Sequence, residues 1–250
     1  MKLCVLGPGC WGLTLTWLLS NNFEDVCVWG RTQDLPEILL KEKRLEKPLV
    51  VQLPEKVEIT DNLENAINGA DIILLVVATS GIRPVCRQLA QIGLKDNQII
   101  VNTSKGLELP SLMTMSQVMK EELPKANIAI LSGPTLAKEV LMGMPTAACV
   151  SSENMEIAKK VQQILNVPSS FRLYTNPDVI GVELGGSLKN VIAIASGFAD
   201  TMKLGDNCRG ALLTRGMAEI VRISLTQGAN PSTLYGLSGM GDLIATCSAP

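Results

Sequence analysis

No histidine occurs among the 250 residues, so any proton transfer has to use Lys, Asp, Glu, Tyr or Cys. Lys189 stands out first. It lies in the run from Val179 to Phe198, which is apolar on nearly every side of a helix. A buried ammonium is costly alone, so a lysine there is paired, functional, or long enough to snorkel to the surface. With no imidazole available, Lys189 is the strongest general acid–base candidate, with Asn190 beside it. Asp242 ends the glycine-rich string Gly236-Leu237-Ser238-Gly239-Met240-Gly241-Asp242. It reads equally as a turn residue or as the carboxylate that orients Lys189 or a substrate.

Gly7-Pro8-Gly9-Cys10-Trp11-Gly12 is a GxGxxG that follows a short apolar run and opens a helix. The first glycine permits a tight turn, the second lets backbone approach a pyrophosphate, and the third allows close helix–strand packing. The pyrophosphate would sit on the unpaired N–H groups of the helix end. This context makes a nicotinamide dinucleotide the expected ligand. At the end of the second strand the chain reads Trp29-Gly30-Arg31-Thr32 and carries no Asp or Glu for a ribose 2′-hydroxyl. Arg31 can pair with a 2′-phosphate, so NADP(H) is preferred, with NAD(H) also accommodated. A solvated surface arginine is the plainer alternative.

Ser104-Lys105-Gly106 and Ser132-Gly133-Pro134-Thr135 each follow an apolar run. Ligands bind outside the carboxyl ends of parallel strands, so Lys105 is placed to meet an anionic substrate or the cofactor. Taken by itself it is more simply an exposed loop lysine, and Thr135 more simply the cap of a helix through Val140.

The elements that would hold these residues alternate. Leu3–Leu6, Val26–Trp29, Asp71–Ala78, Ile99–Thr103, Ile128–Leu131 and Thr146–Val150 read as strands. Helical patterns lie between them, near Trp11–Asn21, Leu63–Asn68, Arg83–Ile92, Leu112–Glu122 and Met155–Leu165. This predicts a doubly wound, mainly parallel α/β sheet of the Rossmann type over residues 1–177. After Asn176-Pro177 only helices are expected, one at Val179–Met202 and another at Arg209–Gln227, giving an all-α domain over residues 178–250. Gly236–Asp242 is expected to be a loop, and with only eight residues after it the helical domain reads as incomplete.

Bulk properties narrow the partners. A hydrophobic fraction of 46% supplies a core, while aromatics at 3% argue against a surface that stacks bases. A net charge of −2 gives no basic field for nucleic acid or anionic lipid. The seven cysteines show no CxxC pair, and with no histidine no metal site is expected. No signal peptide is seen and no apolar run is read as membrane-spanning, so a cytoplasmic protein without membrane insertion is the expectation. A homodimer is compatible with the sequence but nothing in it specifies one.

Together the strings GPGCWG at 7–12, WGR at 29–31, SKGLE at 104–108, SGPTLAKE at 132–139, GVELGGSLKNVIAIASG at 181–197 and GLSGMGDLIATC at 236–247 resemble the bacterial-type NAD(P)-dependent glycerol-3-phosphate dehydrogenases. The resemblance runs along the whole chain, and its last two strings are far more specific than the glycine fingerprint. It implies reversible reduction of dihydroxyacetone phosphate to sn-glycerol 3-phosphate for phospholipid biosynthesis. It further implies Lys189 as the acid–base group on the C2 oxygen and Lys105 in contact with both substrate and cofactor. Gly133, Thr135, Asn190 and Asp242 are implied at the substrate, with Ala137, Cys10, Trp11, Arg31 and Thr32 at the cofactor. Members of that family continue into a Ser-Arg-Asn string that holds the substrate phosphate. The sequence here stops at Pro250 before it, so cofactor binding is expected and turnover by these residues alone is left open. A related β-hydroxyacid or 6-phosphogluconate-type dehydrogenase, or a non-catalytic NADP-binding module, are the alternatives.

Overall fold

The structure, a computed structural model, describes residues 1–248. Strands β1 (Lys2–Leu6) and β2 (Asp25–Trp29) flank helix α1 (Cys10–Leu19). Helix α2 (Glu37–Glu42), the two-residue strands β3 (Arg44–Leu45) and β4 (Val51–Gln52), and β5 (Val57–Thr60) follow. Next come α3 (Leu63–Ile67), β6 (Ile72–Leu75), α4 (Thr79–Ile92), β7 (Ile99–Asn102) and α5 (Met115–Glu122). The α/β part ends with β8 (Asn127–Ser132), α6 (Ala137–Leu141), β9 (Thr146–Ser151), α7 (Met155–Leu165) and β10 (Phe171–Asn176). From there the chain is helical: α8 (Val179–Thr201), α9 (Gly205–Thr226), α10 (Pro231–Leu234), a π turn at Leu237–Gly241, and α11 (Asp242–Ser248).

Eight strands form one sheet in the order β10-β9-β8-β7-β6-β1-β2-β5. All its neighbours pair in parallel except β8 with β9. The order reverses on either side of β1, so the carboxyl edge near β1 and β6 is the switch point where such sheets bind ligands. Helices cover both faces, and side chains alternate between two cores. Leu3 and Val5 of β1 join one apolar cluster, while Cys4 and Leu6 join the other. Each such fully buried aliphatic side chain contributes roughly 2 kcal/mol by leaving water. The thiols in these cores behave as small hydrophobes: burial pushes Cys27 up to about 11 and Cys86 up to about 12.

The expected doubly wound sheet and the helical second part are both present. Two strands of the main sheet go beyond the sequence reading, β5 and β10, which form its two edges. Helix α4 begins at Thr79, earlier than the pattern from Arg83, and carries Pro84 in its second turn. The segment Gly236–Asp242 is not a loop: it winds through the π turn directly into α11. The expectation about membrane-spanning length also needs correction. Helix α8 is long and apolar enough to cross a membrane, with a mean hydropathy of 1.3 in its most apolar stretch. Here it packs against α9, α10, α11 and β8 and buries two charged side chains, Glu183 and Lys189.

Glu183 joins the two parts. Its carboxylate accepts the Ser116 backbone N–H at 2.8 Å and the Ser116 hydroxyl, at the start of α5. The same helix end carries a capping box of Thr114 and Gln117, so a carboxylate from α8 completes the pairing of orphan N–H groups at a positive helix terminus. Burial pushes the Glu183 carboxyl up, opposed by these hydrogen bonds.

Candidate active site

The Lys105 loop leaves the carboxyl end of β7 and is tied down on both flanks. Ser104 Oγ donates to the Val77 carbonyl at 2.5 Å. Arg83 of α4 forks onto Glu108, Nε to Oε1 at 2.6 Å and Nη2 to Oε2 at 2.8 Å, and donates through Nη1 to Glu122 at 2.5 Å. Arg83, and after it Ser111, hold the Glu108 carboxyl down to about 2, against an ordinary 4.5. A depressed carboxyl stabilises the fold above its ordinary value, and that stability is lost as pH falls from about 4.5 toward 2. Glu108→Gln is therefore expected to lower the melting temperature near neutrality and to flatten its acid slope between pH 4.5 and 2. Circular-dichroism melts across that range check this; parallel slopes for the two proteins would refute it.

Lys105 reaches across the cleft between the two parts of the chain. Its Nζ donates to the Gly133 carbonyl at 2.9 Å and to Asp242 Oδ2 at 2.7 Å, with Thr135 Oγ1 at 3.4 Å. Lys189 of α8 approaches from the other side, donating to Asp242 Oδ1 and to Thr246 Oγ1, the latter at 2.6 Å. Asp242, at the first position of α11, is only 2% exposed and so sits between two ammonium groups. The three side chains leave a net charge of +1 in the cleft, which suits an anionic substrate. Burial brings Lys105 down to about 8, Asp242 opposing the shift and Lys189 adding to it.

Two glycines of α8 make this closeness possible. A Cβ on Gly186 would lie 2.5 Å from Ser132 Oγ and 3.5 Å from Lys105 Cγ. One on Gly185 would lie 2.8 Å from the Ser238 carbonyl oxygen in the π turn.

A groove of about 470 Å³ opens at the carboxyl edge of β1, β2 and β6, lined in part by Gly7, Gly9, Gly30, Arg31 and Asp34. It adjoins a second groove of about 390 Å³ lined by Gly9, Cys10, Trp11, Gly12 and Lys105. The glycine loop fits a dinucleotide. A Cβ on Gly12 would strike the Gly7 carbonyl, whereas one on Gly9 would meet nothing within 4 Å, so the backbone there is open to a ligand. Thr103 Oγ1, in the second groove, is buried with no hydrogen-bond partner among the described residues. Cys10 stands at the start of α1, its thiol pushed up by burial. Ala137 opens α6, which packs on α1.

The sequence-derived candidates thus divide in space. Lys105, Lys189, Asp242, Gly133 and Thr135 converge. Gly7, Gly9, Cys10, Trp11, Gly12 and Arg31 line the grooves, and Lys105 belongs to both groups. Asn190 is exposed and lies outside the hydrogen-bonded cluster. Thr32 is exposed and donates to Asp61 Oδ2 at 2.9 Å. Thr135 does not cap α6: Leu136 holds that position, and the Thr135 hydroxyl turns back to the Gly133 carbonyl at 3.1 Å. Sequence reasoning passes over Thr246, whose hydroxyl donates to the Asp242 carbonyl at 2.7 Å while accepting from Lys189. The signal is available, since Thr246 is four residues after Asp242 and so shares its face once the segment is helical.

A dinucleotide loop whose groove runs into a two-lysine, one-aspartate cleft is matched by known proteins in both halves. The family model for the NAD-dependent glycerol-3-phosphate dehydrogenase N-terminus covers residues 2–158, and that for its C-terminus covers residues 178–250. The chain belongs to the NAD-dependent glycerol-3-phosphate dehydrogenase family. It is 45% identical over 252 residues to the glycerol-3-phosphate dehydrogenase [NAD(P)+] of Fusobacterium nucleatum, covering 100% of this chain and 75% of that one. The Bacillus subtilis enzyme of the same name is 42% identical over 99% of this chain and 72% of its own length. Among solved structures, the Coxiella burnetii glycerol-3-phosphate dehydrogenase superposes with a TM-score of 0.91 at 34% identity, covering 99% of this chain and 76% of that one. The Saccharomyces cerevisiae glycerol-3-phosphate dehydrogenase shares the fold, with a TM-score of 0.83 at 23% identity over 100% of this chain and 78% of that one.

Proposed function

We propose that this protein catalyses the reversible NAD(P)-dependent reduction of dihydroxyacetone phosphate to sn-glycerol 3-phosphate, feeding phospholipid biosynthesis. The observation that carries the reading is Asp242 held between Lys105 and Lys189 at the mouth of the dinucleotide groove. We divide the roles at Pro177, with residues 1–177 holding the cofactor and 178–250 completing the substrate site. The seven free cysteines, five of them buried, support a reducing, cytoplasmic setting.

Gly7, Gly9 and Gly12 would cradle the cofactor pyrophosphate at the N-terminus of α1, with Cys10 and Trp11 beside it. Arg31, which lines the larger groove, supports binding of a 2′-phosphate and hence NADP(H), with NAD(H) also taken. When bound there, the dihydronicotinamide supplies a hydride to the substrate carbonyl carbon. Lys189 holds the proton that the C2 oxygen receives, and Asp242 keeps that ammonium aimed. Lys105 adds positive charge beside the oxygen as it becomes an alkoxide, in a cleft that excludes most water.

The test begins with fluorescence titration by NADPH and NADH, followed by addition of dihydroxyacetone phosphate while nucleotide absorbance is recorded. Lys105 is charged below about pH 8 and neutral above it. The expected kcat/KM for carbonyl reduction therefore falls as pH rises through about 8, approaching a tenfold drop per unit. Lys105→Met should abolish that limb along with most of the activity. If neither nucleotide binds the folded protein, the cofactor reading is wrong. A limb unchanged in Lys105→Met would assign it to another group.

A further inference from the structure

We infer that Asp34 sets the cofactor selectivity of this chain by occupying the guanidinium edge that a 2′-phosphate would use. The inference rests on the reading of Arg31 given above. Arg31 forks onto Asp34, Nε to Oδ2 at 2.6 Å and Nη2 to Oδ1 at 3.0 Å. That is the planar, two-point geometry with which arginine binds phosphate. Both side chains line the larger groove, where among the described residues Arg31 is the one cation and Asp34 the one anion.

The pairing is built into the backbone. Thr32–Asp34 form a single 3-10 turn in which the Asp34 N–H donates to the Arg31 carbonyl at 2.7 Å, placing position 34 under position 31. The approach to that turn is fixed as well, since a Cβ on Gly30 would lie 2.7 Å from Pro8 Cγ and 2.9 Å from Leu35 Cδ2. A second carboxylate stands nearby, because Asp61 accepts the Thr32 hydroxyl while its carbonyl accepts Trp29 Nε1 at 3.0 Å. The corner therefore carries one positive and two negative charges. A 2′-phosphate must either displace Asp34 from the Nε–Nη2 edge of Arg31 or take the free Nη1 side, and in both cases it remains next to the carboxylate. A ribose 2′-hydroxyl meets neither cost, and the Asp34 carboxylate can accept a hydrogen bond from it. Asp34 thus holds down the NADP(H) preference that Arg31 alone would confer, and lets NAD(H) compete.

The experiment is a set of fluorescence titrations with NADPH and with NADH at low and moderate salt, on the parent protein, Asp34→Asn, Arg31→Met and the double variant. Both sites are on the surface and Asn keeps the shape of Asp, so the fold is not at stake. Asp34→Asn is expected to tighten NADPH binding about five- to tenfold and to leave NADH within about twofold. Arg31→Met is expected to weaken NADPH and to cancel the gain in the double variant. Equal changes for both nucleotides, or none, in Asp34→Asn would overturn the inference while leaving Arg31 in its role if Arg31→Met still weakens NADPH. If Arg31→Met leaves NADPH binding unchanged, the Arg31 reading fails and the inference fails with it.

Discussion

Lys189→Met is expected to lower kcat for dihydroxyacetone phosphate reduction by about 10⁴-fold while NADPH affinity stays within about twofold. The size follows from losing two contributions at once. General acid catalysis by a placed group accounts for roughly 10²–10⁴, and charge stabilisation of the alkoxide adds to it. No histidine exists to substitute, and Lys105 is already engaged by Gly133 and Asp242. Cofactor affinity is expected to survive because Lys189 lines neither groove. Met matches the length of the lysine stem, and Asp242 keeps Lys105 as its counter-ion, so removing Lys189 leaves no buried charge unpaired. Loss of turnover with an unchanged melting temperature is therefore the predicted pair of results. Retention of more than about a tenth of the activity would remove Lys189 from the proton-transfer step.

Asp242→Ala should behave differently, because it removes the anion and leaves both cations. Lys189 is 7% exposed and Lys105 21%, so the two ammonium groups would face each other with little water to screen them. Breaking a buried pair in this way costs about 3 kcal/mol, or roughly 6–12 °C of melting temperature for a chain of this size. The remaining influences on Lys105, burial and Lys189, both favour its neutral form, so its titration moves below the present value of about 8. Residual activity would then fall off at lower pH than in the parent protein, and kcat should drop by about 10³-fold as Lys189 loses its aim. Calorimetry and a pH–rate profile read both effects. A variant as stable as the parent, with its profile in place, would mean that Asp242 is not the shared counter-ion.

Parts of this arrangement are legible in the sequence for a local reason. The glycine loop is one strand–turn–helix unit, and its residues are neighbours along the chain. Lys189 is visible because a charge inside an apolar helix contradicts its surroundings. What stays hidden is set at longer range. Lys105 and Asp242 are separated by 137 positions, and only the packing of α8 and α11 against the sheet brings them together. The two strands of the main sheet that the sequence does not announce are both edges. β10 begins by alternating buried with exposed residues and β5 exposes Glu58 beside half-buried Ile59 and Thr60, so both lack the continuous apolar run of central strands. Gly236–Asp242 reads as a loop because glycine disfavours helices. Tertiary packing overrides that preference, since the segment is pressed against α8, where a Cβ on Gly185 would lie 2.8 Å from the Ser238 carbonyl oxygen and 2.9 Å from Gly239 Cα. Taking that segment for a loop also conceals Thr246, which meets Lys189 only from a helix.

Gly185 and Gly186 carry no group that could bind, donate or react, yet the cleft takes its width from them. A methyl added at Gly185 would meet backbone, the Ser238 carbonyl oxygen at 2.8 Å and Gly239 Cα at 2.9 Å. Helix α8 must then back away with Lys189 attached one turn along, while a methyl at Gly186 crowds the Ser132 hydroxyl. The spacing of the charges is in this sense set by missing atoms. A map of the protein coloured by chemical function would leave these two positions blank, whereas a map coloured by tolerance to substitution should show Gly185 as dark as the lysines.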